Sequence, residues 1–131
     1  MIPRNELRNL AKARLRDAEA LVDADRFAGA NYICGYAIEL WLKFRICKTL
    51  RWSGFPGSNN EFQGFTSFKI HDLDRLLRLS GIEDRVKSKF FTEWSIVSEW
   101  NPESRYNSNS TITRADAESM IKSARILLRM R

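Results

Sequence analysis

A glutamate and a lysine one helical turn apart are the residues of this sequence best placed to do chemistry. Glu39 and Lys43 occupy positions i and i+4 in GYAIELWLK, so their side chains face each other on a helix. An exposed pair of this kind contributes only about 0.2–0.5 kcal/mol, whereas a buried Glu39 must be hydrogen-bonded or ion-paired. Arg105, in WNPESRYNSNST over 100–111, is a suitable partner because a guanidinium binds a carboxylate through two parallel hydrogen bonds. We therefore predict a contact between Glu39 and Arg105.

His71 is the single histidine of the sequence and lies in KIHDLDRL, at the start of a predicted helix. It could serve as a general base, or it could cap that helix and pack its ring against the preceding loop. The structural role is favoured because no second histidine and no serine nucleophile motif accompanies it. Neither HExxH nor a cysteine pair suggests a metal, and GFPGSNN lacks the spacing and the Lys-Ser/Thr of a phosphate-binding loop. The sequence therefore predicts neither a metal nor a cofactor.

The charge of the chain permits an anionic partner without requiring one. Twenty-two Lys and Arg against sixteen Asp and Glu give a net charge of +6 and a sequence pI near 9.7. Nucleic acid or a nucleotide phosphate would suit this charge, but basic residues also keep ordinary domains soluble. The densest basic stretches hold Lys43, Arg45, Lys48 and Arg51 in one and Arg85, Lys87 and Lys89 in the other.

Length and composition predict one soluble globular domain over residues 1–131. Hydrophobic residues make up 44% and charged residues 29%, and no apolar run approaches the ~20 residues that span a bilayer. The N-terminal stretch lacks the apolar region of a signal peptide, so we expect a cytoplasmic protein without membrane association. Cys34 and Cys47 are too far apart on one predicted helix to form a disulfide and are interpreted as core residues.

The apolar spacing predicts helices and no strands. Helices are expected over about 4–24, over about 26–50 with Asp25 as its cap, and over 71–80 with Gly81 as its stop. Another follows over about 90–100, ending at Asn101-Pro102, and the last starts after Thr113, which forms a capping box with Asp116. The predicted fold is all-α, an antiparallel up-and-down four-helix bundle with one extra short helix.

The segment 51–70 combines turn residues with aromatic side chains. Its three glycines, its proline and its Asn-Asn pair predict irregular chain. A loop this apolar is expected to fold over the bundle; stacking on nucleobases is the alternative. The aromatic residues concerned are Trp52, Phe55, Phe62, Phe65 and Phe68.

Three motifs taken in order resemble the HEPN domain, an all-α family: GYAIELWLK, HDLDRLL and WNPESRY. The resemblance implies a four-helix bundle, commonly a homodimer, often encoded with or fused to a nucleotidyltransferase domain and associated with nucleotide or RNA biology. Many such proteins are metal-independent ribonucleases of toxin–antitoxin or defence systems, which use an Arg followed after four to six residues by a His. Arg105 matches the Arg, but Ser110, Thr111 and Ile112 occupy the positions of the His.

The missing imidazole favours a binding module over an enzyme. Ser and Thr titrate far from neutral pH and Ile does not titrate, so no residue near Arg105 can carry the proton transfer. We expect a non-catalytic HEPN-like adaptor with no catalytic residue, whose candidate ligand-binding residues are Glu39, Lys43, Arg105 and Tyr106, with His71 as a secondary candidate. A ribonuclease with a displaced His and a purely structural interaction domain are the alternatives.

Overall fold

Two long helices, α1 (Arg4–Asp23) and α2 (Phe27–Leu50), pack against each other as an antiparallel hairpin. The computed structural model describes residues 1–64, 71–102 and 111–131. One stripe of α1 is buried, with apolar residues three or four positions apart, whereas α2 is buried on several faces, as the sequence predicted. The prediction that Asp25 caps α2 is wrong. Asp25 adopts a left-handed φ of 60°, Arg26 is the residue that precedes the helix, and the Asp25 carboxylate pairs with Arg114 instead.

Three short helices follow the loop: α3 (Leu73–Ser80), α4 (Glu83–Lys89) and α5 (Phe91–Val97). Asp72, not His71, caps α3, because its carboxylate accepts from the main-chain N–H groups of Asp74 and Arg75. Gly81 ends α3 in the left-handed region, as predicted. The helix predicted over about 90–100 corresponds to α5, which ends earlier, at Val97. Helix α4, which ends one residue before Phe90, was not predicted from the sequence.

The last helix, α6 (Arg114–Leu128), starts at the predicted capping box. Thr113 Oγ1 accepts from the main-chain N–H of Asp116 at 3.1 Å, and the Asp116 carboxylate accepts from the N–H of Thr113 at 3.0 Å. Arg114 lies beside Asp25 at the start of α2, and Arg45 near its end contacts Arg131. α6 therefore runs parallel to α2.

A small sheet contradicts the expectation of no strands. β1 (Ile2–Pro3) pairs antiparallel with β2 (Gly54–Phe55), with Ile2 opposite Phe55. Strands of two residues are too short to show alternation in a sequence. The sheet ties the loop to the start of α1, and the loop aromatics Phe55 and Phe62 are buried. The packing interpretation is confirmed for these two residues, while Phe65 and Phe68 lie outside the described residues.

The described chain is mostly helical and shares one hydrophobic core, to which every helix contributes. α3 starts beside Glu39 and ends beside Thr49, so it runs in the same direction as α2. Successive helices therefore do not all alternate in direction. The up-and-down four-helix bundle stays a prediction. In the described part of the chain, none of the helices is both long and apolar enough to cross a membrane.

Candidate functional site

Glu39 is a buried carboxylate held by two basic side chains. It lies in the middle of α2 and is 4% exposed. Lys43 Nζ donates to Glu39 Oε2 at 3.1 Å, and His71 Nδ1 lies 2.8 Å from Glu39 Oε1. The sequence predicted that a buried Glu39 needs such partners, and the structure confirms the burial and the contact with Lys43. We call Glu39, Lys43 and His71 the Glu39 cluster.

His71, the secondary candidate of the sequence analysis, is the second partner of Glu39, a contact that the sequence did not predict. His71 lies two residues before the start of α3, and the cap formed by Asp72 between them fixes how the chain enters that helix. Trp94 of α5 also donates to Asp74 of α3 at 3.3 Å, a second contact at the first turn of α3. The signal for this placement was present in HDLDRLL, where an Asp precedes an apolar helix. The contact of His71 with Glu39 of α2, thirty-two positions earlier in the chain, could not be predicted from the residues around either of them.

Arg105 and Tyr106 lie outside the described residues, so their predicted role at this site stays a prediction. Within the described residues both carboxylate oxygens of Glu39 already have a partner. A carboxylate oxygen can accept more than one hydrogen bond, so this arrangement leaves capacity for a further donor.

Lys43 is enclosed by the loop that follows α2. Its side chain is 15% exposed, and its ammonium lies 5.3 Å from the centre of the Phe55 ring. This distance is within the range of a cation–π contact. The positive charge of Lys43 is therefore used inside the protein, between the Glu39 carboxylate and the Phe55 ring. Of the cluster, His71 offers the most surface to a ligand, since its side chain is 61% exposed.

The contact with Glu39 decides which nitrogen of His71 can act on a ligand. A carboxylate that is ion-paired to Lys43 can only accept hydrogen bonds, so Nδ1 of His71 must carry the proton that it donates. In the neutral ring the second nitrogen, Nε2, then has its lone pair free to accept a proton or a hydrogen bond. In the charged ring, Nε2 donates. The cluster can therefore hold an imidazole in one orientation for proton exchange or for binding an anion.

An aromatic cluster lies next to the site on α2. The ring centres of Tyr36 and Trp100 are 5.1 Å apart, and those of Tyr32 and Tyr36 are 5.2 Å apart. Trp100 Nε1 donates to the main-chain oxygen of Tyr32 at 3.1 Å. Tyr36 precedes Glu39 by three residues and shares its side of the helix. The chain that leads to Arg105 thus starts beside the part of α2 that carries the Glu39 cluster.

Metal and thiol chemistry have little support in the described residues. Among them, no three His, Cys, Asp or Glu side chains come together as a metal site. Cys34 and Cys47 are buried and free, as core residues. Burial, followed by the charge of Glu19, raises the pKa of the Cys34 thiol to about 12, and burial also raises the pKa of Cys47. Both thiols are therefore kept protonated at neutral pH.

Comparison with profiles of known families, with curated proteins and with solved structures gives no match to this chain.

Proposed function

We propose that the protein is a HEPN-like binding module whose ligand is a nucleotide or RNA, bound at the Glu39 cluster together with Arg105 and Tyr106. The observation that supports this most is the buried Glu39, which positions an exposed imidazole at 2.8 Å. Burying a carboxylate is costly unless it is fully paired. A contact that only joined α2 to α3 could be made by apolar side chains, so the presence of three ionisable groups, one of them exposed, supports a role in binding.

The position of Arg105 is compatible with this site. Arg105 follows Trp100 by five residues, and Trp100 is bonded to Tyr32, which precedes Glu39 by seven residues on α2. Seven helical residues span about 10 Å, and five extended residues reach up to about 17 Å. The guanidinium can therefore reach the Glu39 cluster, where it would add positive charge for a phosphate group.

The remaining expectations belong to the same proposal. The resemblance to HEPN domains implies an antiparallel four-helix bundle, a cytoplasmic homodimer, and a nucleotidyltransferase-domain partner in a toxin–antitoxin or defence system. The net charge of +6 supports an anionic ligand.

Fluorescence anisotropy with a labelled single-stranded RNA of mixed sequence tests the binding module. We expect saturable binding in EDTA that weakens as salt rises. His71→Ala and Arg105→Ala should each weaken it about tenfold, which corresponds to about 1.4 kcal/mol. Arg16→Ala is the charge-matched control, because Arg16 is exposed on α1. Equal losses in Arg16→Ala and Arg105→Ala, or no binding by the wild type, would contradict the proposal.

A metal-independent ribonuclease is the second candidate, and the contact between His71 and Glu39 supports it. A carboxylate that orients an imidazole is the usual support of a general base. Incubation of the same RNA with purified protein in EDTA, analysed on a denaturing gel, separates the two functions. Cleavage that is lost in a folded His71→Ala variant favours the enzyme. Binding without cleavage favours the module.

A further inference from the structure

The imidazole of the Glu39 cluster turns one ring nitrogen inward and the other outward. His71 Nδ1 lies 2.8 Å from Oε1 of the buried Glu39, while the His71 side chain is 61% exposed. Because Nδ1 faces the carboxylate, the exposed edge of the ring is the one that carries Nε2. No described residue forms a hydrogen bond with Nε2. His71 therefore presents a nitrogen with a free lone pair to the solvent whenever the ring is neutral.

The negative charge behind the ring is balanced within the protein. Lys43 Nζ donates to Glu39 Oε2 at 3.1 Å, and the side chains of Lys43 and Glu39 are only 15% and 5% exposed. Asp72, the next residue after His71, uses its carboxylate to accept from two main-chain N–H groups at the start of α3. An anionic reagent can therefore approach Nε2 without meeting an uncompensated charge at Glu39. The net charge of +6 also attracts such a reagent to the chain.

Glu39 strengthens Nε2 as a nucleophile. When Nε2 forms a new bond, the imidazole gains positive charge, and its Nδ1–H becomes a stronger donor to the carboxylate. A buried carboxylate stabilises that charge more than an exposed one does, because little water screens it. An acid behind a histidine supports the imidazolium of hydrolytic triads in the same way. Histidine itself forms covalent intermediates as a nucleophile, and a phosphoryl group is an anionic electrophile suited to this nitrogen.

We propose that Nε2 of His71 accepts a phosphoryl group from a donor of the phosphoramidate class. In this class phosphorus is bound to nitrogen, as it is in a phosphorylated histidine of another protein. The lone pair of Nε2 forms a bond to phosphorus while the phosphorus–nitrogen bond of the donor breaks. The electron pair of that bond stays on the donor nitrogen, which takes a proton from water. Nδ1 keeps its proton and its hydrogen bond to Glu39. This inference does not rest on the RNA ligand proposed above.

Reaction of the intact protein with potassium phosphoramidate tests the site, and phosphorus NMR distinguishes the two phosphohistidine isomers. His71 is the single histidine of the chain, so every phosphohistidine forms at this residue. We expect the folded protein to give the Nε2 isomer alone, because Glu39 covers Nδ1. The same protein in urea, where both nitrogens are open, should give both isomers. His71→Gln should give neither.

The reaction rates measure the contribution of Glu39. The folded protein should react faster than the urea-unfolded chain at the same pH. Glu39→Gln should react about tenfold more slowly than the wild type, which corresponds to about 1.4 kcal/mol of lost transition-state stabilisation. Glu83→Gln is the matched control, because Glu83 also pairs with a lysine four residues later but is more exposed, and it should react like the wild type. Circular dichroism shows whether each variant is folded.

Three results would overturn the proposal. They are formation of the Nδ1 isomer in the folded protein, equal rates in the folded and unfolded wild type, and a folded Glu39→Gln that reacts as fast as the wild type. If Glu39→Gln does not fold, the isomers and rates of the folded and unfolded wild type decide. A protein that is phosphorylated at Nε2 but does not bind RNA would contradict only the binding module.

Discussion

Two glutamate–lysine pairs of this protein have the same spacing but different surroundings. Glu39–Lys43 and Glu83–Lys87 are both i,i+4 pairs, with N···O distances of 3.1 and 3.2 Å. The side chain of Glu39 is 5% exposed and that of Glu83 is 32% exposed. Removing one charge of a buried pair leaves the other charge without water to solvate it. The loss of free energy of unfolding is therefore larger for a buried pair than for an exposed one. The two pairs therefore allow the effect of burial to be measured within one molecule.

Glu39→Gln should lower the free energy of unfolding by about 2–4 kcal/mol, since it leaves the largely enclosed Lys43 without its counter-charge. Glu83→Gln should lower it by less than about 0.5 kcal/mol, the effect of an exposed pair. Urea denaturation of both variants measures the difference. Similar losses in the two variants would mean that the burial of Glu39 has no energetic consequence.

The cysteines give a second prediction at the residue scale. Burial and the charge of Glu19 raise the pKa of Cys34 to about 12, so its reactive thiolate is scarce at neutral pH. Ellman's reagent should therefore label Cys34→Ser and Cys47→Ser proteins far more slowly in buffer than in urea. Because the pKa of Cys34 is raised, labelling of Cys47→Ser should still be suppressed at pH 9. Fast labelling of either folded variant would place that thiol at the surface.

The helices of this protein pack closely where a glycine allows it. A Cβ atom built on Gly35 of α2 would lie 2.0 Å from the indole of Trp100, whereas one on Gly29 would meet Leu21 at 3.8 Å. Trp100 also donates to Tyr32, so it cannot move away without losing that bond. The absence of a side chain at Gly35 thus allows Trp100, which follows α5, to pack directly against α2.

Gly35→Ala should destabilise the protein by about 2–4 kcal/mol, because Trp100 is forced out of its place. Gly29→Ala, on the same helix, should stabilise it by about 0.5–1 kcal/mol through helix propensity alone. Chemical denaturation measures both changes. A Gly35→Ala protein as stable as the wild type would show that Trp100 does not pack against this residue.

The whole molecule is organised around one core. Buried residues from all six described helices, together with Phe55 of β2 and Phe62 of the loop after it, belong to a single cluster. Charged contacts also join distant helices, such as Arg125 of α6 with Glu19 of α1 at 2.7 Å. Elements that share one core gain most of their stability from each other, so they unfold together.

We therefore expect one cooperative transition in urea. Far-ultraviolet circular dichroism, which reports helices, and tryptophan fluorescence, which reports Trp41, Trp94 and Trp100 in the core, should give the same midpoint. Separate midpoints would mean that part of the chain unfolds independently and would contradict the prediction of one domain over residues 1–131.

Features that depend on neighbours in the chain were predictable from the sequence alone. The 3.6-residue spacing predicted α1 and α2, Thr113 and Asp116 predicted the start of α6, and the i,i+4 rule predicted the contact between Glu39 and Lys43. Each of these depends on residues within about one helical turn. Helix α4 was missed because its sequence, EDRVKSK, has a single apolar residue, Val86, and therefore shows no apolar spacing.

Features that join distant parts of the chain were decided by the tertiary structure. His71 reaches Glu39 across thirty-two positions, and Ile2 pairs with Phe55 in the small sheet. No pattern of neighbouring residues in the sequence predicts such contacts, because they depend on how the helices bury their apolar faces against one another. The elements were therefore determined by local spacing, and the Glu39 cluster by the packing of those elements.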